Sequence, residues 1–299
     1  MEHNKCHICQ NIITYDITSD IYKEPYYCIE YIDSPPDKTD EISDAKILQY
    51  EELEYHTKIH IQSYIWNENL SVFPAHITHI IFHAHSHFNK IIDAFPKELR
   101  YLSLGNPFNQ PLDNLPATLE YLELGNSFNQ PLDNLPYNLK YLLLGRYFNQ
   151  PLDNLPPGLV HLEITNKSCF NHPINNLPVS LEHLVIGQES EFNHPLDNLP
   201  TNLKILFIGV WHNINYTLDN LPDSLEVLYL YEHCSGRYGG NGGNAGNGLI
   251  RLNGLNGLNN VKVIEKIISK LPKNIRYARI FTKYKYYGYL KGLYGDIVD

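Results

Sequence analysis

The stretch FNQPLDNLPATLEYLELGNSFNQPLDNLPYNLKYLLLGRYFNQPLDNLP, residues 108–156, contains the nine residues FNQPLDNLP three times, at intervals of 20. Identity at a fixed spacing indicates one structural unit that is copied along the chain. The residues between the copies vary. We therefore expect the constant residues to build the fold and the variable ones to carry a specific function.

The repeat extends well beyond this stretch. Aligning the chain on Leu-Pro or Phe-Pro gives nine copies, from Pro74 to Pro272, with successive prolines 22, 20, 20, 20, 22, 22, 22 and 50 residues apart. Each regular copy carries the pattern L-x-x-L-x-L, as in Leu119, Leu122 and Leu124. Its last two leucines, two residues apart, predict a short strand with one buried face. A period of 20–22 residues with this pattern is typical of leucine-rich-repeat solenoids, whose units stack and share one core.

The remainder of each copy returns the chain to the next strand. It contains two prolines, such as Pro111 and Pro116. Because proline lacks an N–H and fixes φ, a helix is disfavoured over so short a return. We therefore predict a mainly β solenoid, with short parallel strands on one face and an extended or turn-like return on the other.

The constant residues predict ladders along the solenoid. We expect the phenylalanines to stack as an aromatic spine, with Ile214 replacing the ring in the last full copy, and the asparagines after them to form a buried ladder that bonds the backbone of adjacent turns. We expect Asp113 and Asn114, with their equivalents, to cap a turn in the return. The spine and the ladder comprise Phe88, Phe108, Phe128, Phe148, Phe170 and Phe192, and Asn89, Asn109, Asn129, Asn149, Asn171, Asn193 and Asn215.

The motif FN-x-P-L-x-x-L-P resembles the FNIP repeat, a relative of the leucine-rich repeat that is common in social amoebae and in giant DNA viruses that infect amoebae. The resemblance covers about residues 73–230 and 271–280. The chain is also similar to the 20-residue L-P-x-x-L-x-x-L repeats of bacterial effector proteins. The family resemblance implies a protein-interaction solenoid. Some members carry an N-terminal F-box, which implies recruitment of a ubiquitin ligase, but residues 1–70 show no Leu-Pro-initiated F-box helix set.

The sequence divides into four segments. Residues 1–70 form a non-repeat N-terminal region or cap, in which AKILQYEELEYHTKIHIQSYIW (45–66) has apolar residues at helical spacing. Residues 71–235 form the solenoid, and residues 236–248 form a flexible Gly/Asn-rich loop. Residues 249–299 form a helical C-terminal cap that includes a last repeat strand.

Composition narrows the classes of function. The net charge of -10 argues against nucleic acid as a partner, since phosphates require a basic surface. No apolar run approaches the length of a membrane span, and MEHNKCHICQ lacks a signal-peptide core. Five scattered cysteines suit a reducing compartment. These features predict a cytoplasmic monomer, in the host cytoplasm if the protein is viral.

Two groups have ligand types that suit a metal. Cys6, Cys9 and Cys28, with His56 and His60, have zinc-like local spacings, but no second close cysteine pair is present. A histidine cluster also lies before the first phenylalanine of the spine. Without a carboxylate near it we expect ordinary side chains there, and we predict neither a metal nor another cofactor. The cluster comprises His76, His79, His83, His85 and His87.

No motif that pairs a nucleophile with a base appears, so we predict that the chain is not an enzyme. Function should then lie on the outward side of the strands, where two columns of variable residues are unusually rich in aromatic side chains. Tyrosine suits binding surfaces because it covers area at low entropic cost. Its simpler role is to stabilise neighbouring strands. The predicted partner-binding residues are Tyr101, Tyr121, Glu123, Tyr141, Leu143, His161, Glu163, His183, Phe207 and Tyr229.

The function predicted from these observations is a non-enzymatic scaffold that binds a protein or peptide partner across the exposed strand face. The alternative is a substrate receptor of a ubiquitin ligase, with residues 1–70 as a degenerate recruiting module.

Overall fold

The structure is a computed structural model of the 299-residue chain. It describes residues 27–29, 58–61, 70–210, 220–232, 271–281 and 286–290.

Within these ranges the chain forms one 12-stranded sheet in which every strand pairs with its neighbours in sequence. Strands β1 to β11 pair in parallel, and β12 is antiparallel to β11. A short 3-10 helix, Leu70–Val72, precedes β3. The strands are β1 Tyr27–Ile29, β2 Lys58–Ile61, β3 His79–Phe82, β4 Tyr101–Ser103, β5 Tyr121–Leu124, β6 Tyr141–Leu144, β7 His161–Ile164, β8 His183–Ser190, β9 Ile205–Val210, β10 Val227–Glu232, β11 Tyr277–Phe281 and β12 Tyr286–Leu290.

The leucines of each copy form one continuous core along the sheet. In the copy that contains β5, Leu119 and Leu122 are fully buried and Leu124 is 2% exposed. Leu122 pairs in register with Leu102 on one side and Leu142 on the other. Burial of each such side chain contributes about 1.5–3 kcal/mol. The predicted sharing of a single core between turns is confirmed.

The phenylalanines form the predicted spine within this core. All six are at most 2% exposed. Neighbouring rings from Phe88 to Phe192 stack with centroids 5.9–6.3 Å apart and planes within 16° of parallel. The spine therefore forms a second apolar ladder behind the leucines. Ile214 lies outside the described residues.

The return segments are extended chain and turns, as the two prolines predict. Over residues 73–210, the described residues form strands, turns and extended chain, and no helix. The proline that begins each copy accepts a hydrogen bond from the N–H three residues later, as between Leu119 and Pro116 at 3.0 Å. This turn brings the chain directly into the next strand.

The asparagine ladder forms, but it is not buried. The Oδ1 of each asparagine accepts a hydrogen bond of 2.8–3.0 Å from the backbone N–H of the equivalent asparagine one turn later, from Asn89 to Asn193. The asparagines themselves are exposed or half-buried. The side-chain amide forms its hydrogen bond between adjacent turns, along the solenoid, so it does not need to be buried in the core.

The Asp–Asn pair of the return also has a different role from the one predicted. The Asn154 amide donates to Asp133 of the preceding turn at 3.0 Å, and Asn176 donates to Asp153 at 2.9 Å. The pair therefore forms a second ladder between turns, where a cap within one turn was expected. Stacking at strand spacing brings the equivalent return segments of adjacent turns within hydrogen-bonding distance.

Copies of 22 residues differ from those of 20 by a local extension between strand and phenylalanine. In the three described extensions a buried serine, Ser86, Ser168 or Ser190, accepts a hydrogen bond through Oγ from the N–H of the phenylalanine two residues later. Lys167 and Glu189, in two of these extensions, have positive φ angles of 58° and 60°. In copies of 20 and of 22 residues alike, the phenylalanine therefore occupies the equivalent position in the spine.

The sheet continues into residues 1–70, where the helix predicted over residues 45–66 is wrong at β2. Residues 58–61 alternate polar and apolar side chains, and Ile59 and Ile61 are fully buried. This period of two suits a strand, and β2 pairs with β3. The rest of residues 45–66 lies outside the described residues.

The last repeat copy joins the sheet directly. Strand β11 pairs with β10, with Val227 opposite Tyr277, although the two positions are 50 residues apart. The intervening residues 233–270, which include the predicted Gly/Asn-rich loop and the first part of the predicted helical cap, lie outside the described residues. Strand β12 belongs to the tail that follows.

Candidate interaction surface

The strand face is defined here as the outward side chains of β4–β10. Alternation along each strand sends every second residue away from the core, and register places equivalent residues side by side. Two columns result. The first contains Tyr101, Tyr121, Tyr141, His161, His183, Ile205 and Val227, and the second contains Ser103, Glu123, Leu143, Glu163, Val185, Phe207 and Tyr229.

The aromatic and histidine rings of the first column, together with His79 of β3, lie against one another across six strands, from β3 to His183 of β8. Tyr101 and Tyr121 stack most closely, with centroids 4.0 Å apart and planes at 9°. The other neighbours are 5.5–6.1 Å apart, and the planes open to 90° at the His161–His183 pair. The rings form an aromatic strip, and their mutual contact supplies the strand-stabilising role that tyrosine columns often have.

The strand face is less exposed than the sequence suggests. Tyr101, Tyr121, Tyr141 and Leu143 are half-buried. Three predicted partner-binding residues are buried, with His161 6%, Phe207 4% and Tyr229 5% exposed. The expectation of an exposed face is wrong at these three positions, because bulky side chains at strand spacing cover one another.

Phe207 and Tyr229 belong to a second hydrophobic cluster that the sequence did not indicate. They pack with ring centroids 5.6 Å apart, together with buried Val185 and half-buried Val227. The cluster occupies the outward side of β8–β10 and is separate from the main core. The signal available in the sequence was that every member of the second column after Glu163 is valine or aromatic, whereas three of the four members up to Glu163 are polar.

Glu123 is in an unfavourable place for a charge. Burial raises the pKa of its carboxyl above the ordinary value, a hydrogen bond with Ser103 lowers the pKa, and the negative charge of Glu163 raises it further. Leu143 lies between the two carboxylates in the column. The strand face therefore keeps a carboxylate where desolvation opposes its ionisation.

The two histidines form a coupled pair beside the second carboxylate. The Nδ1 atoms of His161 and His183 are 3.4 Å apart, and the Nε2 of His161 lies 3.5 Å from the Glu163 carboxylate. Burial first, and then the neighbouring His161, lower the pKa of His183 to about 4. His183 is therefore neutral at physiological pH.

Ion pairs run along the rim where the strands begin. Lys140 Nζ lies 2.8 Å from Glu120, and Lys204 Nζ lies 2.7 Å from Glu182 of the adjacent strand. These pairs are substantially exposed, so each contributes about 0–1 kcal/mol. The positive charges of Lys140 and Lys204 are thus each matched by a carboxylate on the same rim.

In the part of the chain that the structure describes, the two groups of potential metal ligands do not come together as a metal site. Three or more His, Cys, Asp or Glu residues in a metal-binding arrangement are absent there. His83 and His85 lie close, with ring centroids 5.5 Å apart. Cys28 and His60 are in register on β1 and β2. Cys6, Cys9 and His56 lie outside the described residues, so the zinc alternative for this group stays untested.

Among the described residues there is no helix with the length and apolar character to cross a membrane.

Comparison with known proteins gave a family match and a similar solved structure. The family model for the FNIP Repeat matches residues 88–127 and 128–167. A solved structure similar to this chain is that of the giant-virus protein CroV588, described as a novel circular LRR protein structure. It is 29% identical, with 58% of this chain and 33% of that chain covered and a TM-score of 0.42. This chain thus spans a third of that protein's length. No curated protein matches the chain.

Each family match begins at a spine phenylalanine and covers two copies of the 20-residue motif, and the turns stack in a single parallel sheet. Residues 88–167 therefore match the FNIP Repeat, and they form part of a parallel β-solenoid of stacked turns.

Proposed function

We propose that the chain is a non-enzymatic scaffold that binds a partner protein through the strand face of β4–β8. The observation that carries the proposal is the aromatic strip, in which half-buried tyrosines occupy outward positions that the fold itself leaves free to vary. The core of each turn is complete with its leucines and phenylalanine. A rigid row of rings offers contact area with little entropy to lose on binding.

The proposed contact excludes the buried part of the strand face. The second cluster around Phe207 and Tyr229 is already covered, so these residues contribute through packing. Contact with a partner falls to Tyr101, Tyr121, Tyr141, Leu143 and the residues beside them.

The test compares two double variants. Each variant removes two tyrosine rings, and the two pairs lie on different surfaces. Tyr121→Ala with Tyr141→Ala removes the centre of the strip. Tyr137→Ala with Tyr147→Ala removes two tyrosines, 73% and 51% exposed, that lie outside the strand face. Tagged full-length proteins are used to capture partners from the natural cell, and mass spectrometry quantifies the captured protein. Thermal unfolding checks that each variant folds.

We expect the first pair to lose the partner and the second pair to retain it. Equal capture by both folded double variants would refute the proposal.

The alternative is a ubiquitin-ligase substrate receptor with its recruiting module in residues 1–70. Of those residues the structure describes 27–29, 58–61 and 70. A ligase scaffold protein among the captured partners of the wild-type chain, retained by the Tyr121/Tyr141 variant, would support this alternative. A cytoplasmic monomer without a nucleic-acid partner stays a prediction from composition.

A further inference from the structure

We propose that the strand face receives an arginine side chain of the partner protein above Leu143, between the carboxylates of Glu123 and Glu163. This inference rests on the proposed function and specifies the chemistry of the partner.

The register of the sheet creates the site. Glu123, Leu143 and Glu163 are consecutive neighbours in the second column. Strands lie about 4.8 Å apart, so the backbone positions of the two glutamates are separated by about 10 Å. The two acids thus flank the apolar side chain of Leu143 in the column.

The charge of the surface is one-sided. Over β4–β10 the two columns contain Glu123 and Glu163 and neither lysine nor arginine. The two cations three residues from Leu143 in sequence have other neighbours. Lys140 is bonded to Glu120 at 2.8 Å, and the Arg146 guanidinium lies over the Tyr147 ring, 5.4 Å from its centroid. Ser103 bonds to Glu123, and His161 lies beside Glu163. These neighbours orient the two carboxylates but do not supply a permanent positive charge.

The electrostatics of Glu123 support the same conclusion. Burial and the charge of Glu163 both disfavour its ionised form and raise its pKa. A partner cation between the two acids would reverse both effects at once, since it would neutralise their repulsion and replace lost hydration. The unfavourable placement is of the kind that proteins retain at binding sites.

The geometry suits arginine better than lysine. A guanidinium group is a planar fork that bonds to two carboxylates in fixed directions, and it stacks on aromatic rings. Tyr141 lies on the same strand face two residues before Leu143, and Tyr121 holds the same position relative to Glu123. The aromatic strip therefore provides rings on which a guanidinium can stack beside the site. A lysine ammonium is not planar, so it could neither bond to the two carboxylates as a fork nor stack on the rings.

The net charge of -10 also indicates what kind of molecule carries the arginine. A second copy of this chain is equally acidic and would be repelled at long range, whereas a basic partner would be attracted. We therefore assign the occupant as an arginine-bearing segment of a different, basic protein.

The test uses the full-length chain and a displayed library of random dodecapeptides as the probe. Peptides are selected on the immobilised wild-type protein, synthesised, and measured by fluorescence anisotropy. We expect the selected peptides to share an arginine, and replacement of this arginine by the isosteric neutral citrulline to weaken binding at least about tenfold. Lysine at the same position should restore only part of the loss.

Matched protein variants locate the effect. Glu123→Gln with Glu163→Gln removes both carboxylates of the site and should weaken the same peptides about tenfold or more. Asp133→Asn with Asp153→Asn removes the same charge from the return ladder and should change affinity by no more than about twofold. Thermal unfolding confirms that both variants fold.

The outcomes separate this inference from the proposed function. Peptides without arginine that still lose binding on Tyr121→Ala with Tyr141→Ala would overturn the inference and leave the proposed function standing. Self-association of the wild-type chain, lost on Glu123→Gln with Glu163→Gln, would overturn it in favour of a second copy. Selected peptides that bind the Tyr121→Ala/Tyr141→Ala variant and the Glu123→Gln/Glu163→Gln variant as tightly as wild type would overturn the inference together with the function on which it rests.

Discussion

The backbone N–H of Asn129 donates a hydrogen bond of 2.9 Å to the side-chain Oδ1 of Asn109, one turn earlier in the solenoid. The Gln130 side chain donates to the same oxygen at 3.1 Å. One amide oxygen thus accepts hydrogen bonds from both the backbone and a side chain of the next turn. This relationship explains why the asparagine that follows each spine position stays constant while its surroundings vary.

Replacement of Asn109 by alanine should therefore destabilise the chain by more than the loss of an ordinary surface residue. The Asn129 N–H and the Gln130 amide would both lose an acceptor, at a cost of about 1–3 kcal/mol. Urea unfolding of the full-length protein measures the difference. Asn134→Ala is the matched control, because Asn134 is exposed and donates to Asp113 at 3.5 Å. Its cost should stay within about 0.5 kcal/mol. Equal losses in the two variants would contradict the role given to the ladder.

Gly125→Ala tests how closely the turns approach at the ends of the strands. A Cβ at Gly125 would lie 2.3 Å from the carbonyl oxygen of Gly105 and 2.5 Å from the Asn106 Cα, both backbone atoms of the preceding turn. Since backbone cannot move aside without separating the turns, we expect a loss of at least about 2–3 kcal/mol or failure to fold.

The control for this substitution is Gly158→Ala, where the Cβ would meet one carbonyl oxygen at 3.4 Å. This change should be neutral, or stabilising by about 0.4–1 kcal/mol, because alanine restricts the unfolded chain. Calorimetric melting of both variants checks the contrast. A Gly125→Ala protein as stable as wild type would show that the turns are not in close contact here.

Glu123→Gln should stabilise the protein at neutral pH. The folded-state pKa of Glu123 lies above its ordinary value of 4.5, so the folded chain holds this proton more tightly than the unfolded chain. Stability from this group is present at low pH and is lost as the pH rises through the folded-state pKa. Glutamine stays neutral and avoids that loss, so the melting temperature of the variant should exceed that of wild type at pH 7 and approach it below pH 4.5.

Glu120→Gln is the control for Glu123, because it removes one charge from an exposed ion pair with Lys140. It should leave stability unchanged or lower it by up to about 1 kcal/mol. A lower melting temperature for Glu123→Gln than for Glu120→Gln at pH 7 would show that the Glu123 charge does not strain the fold.

His183 predicts a loss of stability on acidification. Its pKa is lowered from 6.5 to about 4 in the folded chain, first by burial and then by His161 and Lys204, with Glu182 acting in the opposite direction. Between these two values the unfolded chain takes up the proton and the folded chain does not. Stability from this group is therefore complete above pH 6.5 and declines as the pH falls toward 4.

Replacement of His183 by glutamine should reduce the slope of the unfolding free energy against pH between pH 6.5 and 4. Above pH 6.5 the slope should be the same as in wild type. Urea unfolding at several pH values measures this slope for both proteins. Parallel curves for wild type and variant across that window would mean that His183 is protonated in the folded state as readily as in the unfolded one.

Much of the fold follows from residue spacing. Leu119, Leu122 and Leu124 indicate the strand and its buried side, and paired prolines exclude a helix from the return. The phenylalanine spine follows because identical rings at a constant period must meet when turns stack. The local sequence pattern predicted the wrong secondary structure where pairing with a neighbouring strand determined it. At β2, four residues with a period of two lie within a segment of helical spacing, and pairing with β3 selects the strand.

The candidate surface was predictable only in part. Outward positions such as Tyr121 and Glu123 follow from alternation along a strand. Their exposure does not, because it depends on which side chains lie across the 4.8 Å gap between strands. The sequence therefore identified Phe207 and Tyr229 as outward residues but missed that they cover each other. The juxtaposition of Glu123 and Glu163 also depends on register, since 40 residues separate them along the chain.

The sequence by itself determined the repeat length, the parallel stacking of turns and the identity of the two interior ladders, because each depends on a period that is visible in one dimension. Only the tertiary structure decided which outward side chains remain accessible and what electrostatic surroundings each one has. Those properties arise from contacts between different turns, and the free energy of a charge or a ring depends on its neighbours in space rather than on its neighbours in the chain.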